Sequence, residues 1–186
     1  MPASVCRITK RLTEKNLAAN AVLPEVRGYI RSQRDAPIRA FRYGLASMAY
    51  NGCEVIAAYH ARLSLGAPLP LHAVAAELSA LPRALWLWGI FGTRPGALPR
   101  YFARAGFGVR RYSRHTREIA EKVFIYSFWN PRFRGIHTVE AHETAHGYTV
   151  CNYPPLDGCF FPSSAALLAA IPTPYPICLS GISLPT

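Results

Sequence analysis

"VEAHETAHGYTV", residues 139–150, admits two incompatible readings. Its centre, HETAH at 142–146, fits H-E-x-x-H, which holds zinc when two histidines four residues apart share one face of a helix. The flanks point elsewhere. Thr138, Val139, Thr149 and Val150 are β-branched and Gly147 follows the motif directly, which is strand–turn–strand chemistry. No glutamate follows Glu143, Asp157 is the only later carboxylate, and Thr149 stands where a metzincin carries glycine. The stretch therefore reads as a hairpin with its turn centred near Thr144 and Ala145, and no metal or other cofactor is expected. A zinc hydrolase using residues 142–146 is the alternative.

Working outward, the period-two pattern continues. "FGVRRYS", "KVFIYSFW", "IHTVEA", "YTVCNY" and "YPICLSGISL" read as strands, with "PSSAALLAAI" as a short capped helix before the last. Upstream of Gly106 the pattern is helical. Residues 8–34 are basic, with apolar positions at Leu12, Leu17, Val22, Val26 and Ile30 interrupted by Pro24. "CEVIAAYHARLSLG" is the clearest helix, with a stripe of Val55, Ile56, Tyr59 and Leu63 and a stop at Gly66. Its His60 falls off the stripe and reads as a surface residue. A second helix lies near 71–80. A third spans "GTRPGALPRYFARAG", with Thr93 as cap and Gly106 as stop. Helices first and strands later predict an α+β fold, helices packed on an antiparallel sheet. Residues 1–40 form a basic N-terminal helical segment and residues 41–186 the main domain.

At 186 residues, half of them hydrophobic, the chain suits one well-buried domain. Its five cysteines are odd in number and lack C-x-x-C spacing, and the first twenty residues have no signal-type apolar core. A cytoplasmic location is expected. "LHAVAAELSALPRALWLWGIFG" is the most apolar run, but it carries His72, Glu77 and Arg83 and reads as buried structure, not a membrane span. The net charge of +11 is spread from Arg7 to Arg134, with a modest cluster at Arg110, Arg111, Arg114 and Arg117. Without an aromatic-interleaved strand it predicts a solvated basic surface and no nucleic-acid partner.

The hairpin register brings His137 opposite Asn152, a base beside a group that can orient its ring. Cys53 follows Gly52 and opens the clearest helix, where the helix dipole lowers a thiol pKa. The expected site is Cys53 as nucleophile, His137 as base and Asn152 as orienting residue, with the Cys53 amide and the Asn51 side chain as oxyanion donors. Trp129 is the candidate shield for the His137–Asn152 bond.

"NGCEVIAAYHARLSLG", "GIFGTRP", "YSFWN", "GIHTV" and "YTVCNY" together resemble papain-like cysteine peptidases of the bacteriocin-processing, double-glycine-leader type, in particular stand-alone bacterial relatives. The resemblance runs from about Tyr43 to the C-terminal strand. It implies a papain-like fold, the Cys53–His137–Asn152 triad, and hydrolysis or acyl transfer on a peptide or protein substrate. Three positions depart from that pattern. Ser47 stands where such enzymes carry glutamine, acidic Glu54 follows the cysteine, and Asn152 replaces the leader peptidases' aspartate. A peptide-binding domain of the same fold that does no chemistry is the further alternative.

Overall fold

The structure, a computed structural model, describes residues 3–131, 134–171 and 176–185. The chain runs α1 (Ala3–Ala21), β1 (Arg42–Tyr43), β2 (Ala46–Ser47), α2 (Met48–Asn51), α3 (Cys53–Ser64), α4 (Leu71–Ala80), α5 (Ala97–Arg104), β3 (Gly108–Tyr112), β4 (Val123–Asn130), β5 (Gly135–Thr144), β6 (Gly147–Val150), α6 (Ser164–Ala170) and β7 (Pro176–Ser183). β3–β7 form one antiparallel sheet in the order β3-β7-β4-β5-β6. The fold is α+β, as the order of helical and strand patterns predicts. No helix among the described residues is long and apolar enough to cross a membrane.

Alternation along β4 divides the core in two. Val123 and Ile125 join a cluster built on α3, α4 and α5, while Phe124, Tyr126 and Phe128 join one closed by Leu167 of α6. α3 lies between the other helices and β5, so every residue from Cys53 to Ala61 is buried, polar ones included. The single apolar stripe expected for this helix is therefore too narrow. His60 is fully buried, not at the surface: its Nε2 accepts from the Ile30 amide at 2.8 Å. Burial pushes its imidazole down to about 3, with nearby His142 adding to the effect.

α1 stops at Ala21, short of the expected 34, since Pro24 cannot continue it. Residues 22–40 cross the helical layer instead and bury Ile30 and Ile38 in its core. Asn20 clamps β1, accepting from the Arg42 amide and donating to its carbonyl, both at 2.8 Å. Residues 22–40 thus share one core with the helices that follow.

The HETAH stretch is the β5–β6 hairpin, where no helical i, i+4 face exists. Thr144 pairs with Gly147, so Ala145 and His146 form the turn, one residue later than expected. His142 lies buried against Glu140, His146 sits at the exposed tip, and no metal-holding group of three His, Cys, Asp or Glu exists among the described residues.

The apolar run at 81–92 departs from its expected burial. Residues 86–91 form a strap closed at its base by a bridge between Leu85 and Thr93 and by a bond from the Trp86 amide to the Gly92 carbonyl. Leu87, Trp88 and Gly89 are all left-handed, an arrangement costing about 1–2 kcal/mol per non-glycine residue. The surroundings hold it: the Leu45 amide donates to the Trp88 carbonyl and the Asn51 side chain to that of Gly89. A Cβ on Gly89 would come within 2.8 Å of Gly44 Cα, so only glycine permits this approach. Backbone demands at the base turn the strap's side chains outward.

Candidate active site

A cleft of about 740 Å³ opens where α3, the start of β5 and the segment around Ser32–Arg34 meet. Cys53, His137 and Asn152 all line it, and so does Gln33. Gly52 sets the position of Cys53: a Cβ there would lie 2.6 Å from the Met48 carbonyl oxygen, so only glycine lets α2 pass directly into α3. The Cys53 Sγ then sits 4.0 Å from the Ile136 carbonyl oxygen of β5.

His137 follows on that strand, paired with Phe128 across β4. Its Nε2 donates to the backbone carbonyl of Asn152 at 2.8 Å. Burial holds the imidazole below its ordinary value, with the Asn152 carbonyl opposing the shift, so the ring is neutral at pH 7. A neutral ring with hydrogen on Nε2 carries its basic lone pair on Nδ1.

The orienting contact differs from the expected side-chain pair. β6 ends at Val150, and Asn152 lies beyond the ladder at φ 60°. Asparagine tolerates that left-handed conformation, which aims its carbonyl at the ring. Its side chain faces the other way: Oδ1 accepts from the Gln33 amide at 3.0 Å and Nδ2 lies 3.5 Å from Gln33 Oε1. Trp129 pairs with Ile136 and so lies on the sheet face opposite His137. The rings of Phe128 and Tyr153 cover the imidazole instead, at 5.9 and 5.8 Å between centroids.

Asn51 is not available as an oxyanion donor. Its Nδ2 donates to the carbonyls of Tyr43 and Gly89, which uses both hydrogens to tie the strap to β1. Gln33 occupies the cleft in its place. Its Nε2 gives one hydrogen to the Ala49 carbonyl at 3.0 Å and retains a second. Ser47 stands at the position where the sequence pattern expects a glutamine, whereas Gln33 arrives from the irregular N-terminal crossing. Its one sequence signal is that it is the only glutamine among 186 residues.

Glu54 points inward. Its carboxyl accepts from the Cys53 thiol at 3.2 Å. Burial raises the carboxyl to about 7, against stabilising contributions from Cys53, the Thr93 amide and the Thr138 hydroxyl. Gly92 leaves room for it, since a Cβ there would lie 3.2 Å from Oε2. The thiol is correspondingly pushed well above its ordinary value, first by burial and then by the Glu54 charge. The expected dipole-lowered thiol is thus outweighed: loss of water and an adjacent carboxylate exceed the pull of one helix end. The resting pair is a neutral thiol and a neutral imidazole.

This arrangement can donate a thiol, accept a proton on a held imidazole, and offer an amide hydrogen to a developing negative charge. Comparison of the chain with protein-family models, curated proteins and solved structures finds no match.

Proposed function

We propose that the protein is a papain-like cysteine peptidase or amide hydrolase acting on a peptide, and the observation that carries this reading is the convergence of Cys53 and a backbone-held His137 in one cleft. Cys53 Sγ attacks the carbonyl carbon as its proton passes to His137 Nδ1, so a C–S bond forms while the carbonyl becomes an oxyanion. The second hydrogen of Gln33 Nε2 and the Cys53 amide receive that charge. Collapse breaks the C–N bond and His137 protonates the leaving amine. Water, deprotonated by His137, then hydrolyses the thioester. Because both groups rest neutral, the imidazole works as a general base and not as half of a standing ion pair.

A peptide-binding domain of the same fold that uses no thiol is favoured by one observation, the thiol held on Glu54. Labelling with a peptidyl vinyl sulfone, read by mass spectrometry, separates the two. The hydrolase reading expects Cys53 to be modified far faster than Cys151, Cys159 or Cys178 and this advantage to vanish in His137→Ala. Equal labelling of all four in the parent protein would refute it.

A further inference from the structure

The strap presents Trp86, Leu87, Trp88, Ile90 and Phe91 within six residues, each 39–57% exposed. None of the five lines the cleft. Residues 78–117, which contain the strap, hold eight arginines and no acidic residue. Arg83, Arg94, Arg100 and Arg104 are exposed beside it in sequence. An apolar projection and a run of exposed arginines therefore belong to the same part of the chain.

We propose that this strap docks the protein on an anionic membrane surface, with Trp88, Ile90 and Phe91 entering the headgroup–acyl boundary and the flanking arginines meeting lipid phosphates. Tryptophan favours that boundary, and clustered arginine favours anionic leaflets. The strap is already ordered by its backbone bonds, so insertion needs no folding of the loop. A second copy of the chain fits poorly, because two arginine-rich surfaces repel. Nucleic acid would use less of the strap, since two of its five exposed side chains, Leu87 and Ile90, carry no ring on which a base stacks.

Sedimentation of the full chain with phosphatidylcholine vesicles, with and without phosphatidylglycerol, tests the inference, followed also by tryptophan emission. The parent protein is expected to bind only the anionic vesicles, with a blue shift, and to release them as salt rises. Combined Trp88→Ala and Phe91→Ala is expected to weaken binding about tenfold or more. Combined Arg83→Glu and Arg94→Glu is expected to weaken it similarly while keeping every strap side chain. All four side chains are exposed, so thermal unfolding should be nearly unchanged. Indifference of the parent to anionic vesicles, or equal binding by the aromatic variant, overturns the inference. So does unchanged vesicle binding in an aromatic variant that instead loses self-association or vesicle-free peptide turnover, which would assign the strap to a second copy or to a peptide.

Discussion

The seam between α3 and β5 carries the same three kinds of group at both ends. At one end stand the Cys53 thiol, the Glu54 carboxyl and the His137 ring; at the other the Ser64 hydroxyl, the Glu140 carboxyl and the His142 ring. Access and order separate them. Ser64 donates to Glu140 at 2.7 Å, and His142 Nδ1 meets the same carboxyl at 3.1 Å, so the carboxyl stands between hydroxyl and imidazole. Tyr29 closes that end, stacked on His142 with 4.6 Å between centroids and bonded to Ser64. At the Cys53 end the ring is held from behind by a carbonyl and the thiol faces a cleft. A nucleophile, an acid and a histidine thus form a candidate site at one end and an internal brace at the other.

The contrast breaks most easily at its two nucleophiles. Cys53→Ala is expected to remove about a thousandfold or more of peptide turnover, and Ser64→Ala to leave turnover per folded molecule within about twofold. A fluorogenic peptide assay decides it; loss of turnover in Ser64→Ala would reverse the roles of the two ends.

The brace is tested next. Glu140→Ala leaves Ser64 and His142 without their buried partner and is expected to cost about 3 kcal/mol in urea unfolding. Turnover per folded molecule should not change.

The third test sharpens the difference through pH. His60 is pushed down to about 3 from 6.5, so its contribution is lost as pH falls below 6.5. Glu54 is pushed up to about 7 from 4.5, so its contribution is lost as pH rises from 4.5 through 7. The two slopes oppose between 4.5 and 6.5. Glu54→Gln removes one of them, and the variant's stability should climb by about 1.4 kcal/mol per pH unit more than the parent's over that window. Parallel curves would show that Glu54 does not titrate there.

Much of this arrangement was legible in the sequence because local rules governed it. β-branched flanks around Gly147 marked the hairpin, and apolar spacing marked α3 and α4. What failed depended on partners remote in sequence. The side chain of Asn51 could serve a cleft or two carbonyls, and only the strap's position decides between them. Gln33 lies on an irregular crossing that no periodicity reveals. The ladder ends at Val150, short of Asn152, leaving His137 a carbonyl in place of an amide side chain. The most apolar run reads as interior by composition, yet three successive left-handed residues turn it outward.

That carbonyl contact has a consequence for descent. Because position 152 serves His137 through its main chain, selection for that contact acts on backbone shape, while the side chain answers to Gln33. Glycine and aspartate can adopt the same left-handed turn and present the same oxygen. A related chain with glycine here would keep its histidine's aim, and a motif requiring asparagine or aspartate would pass over it.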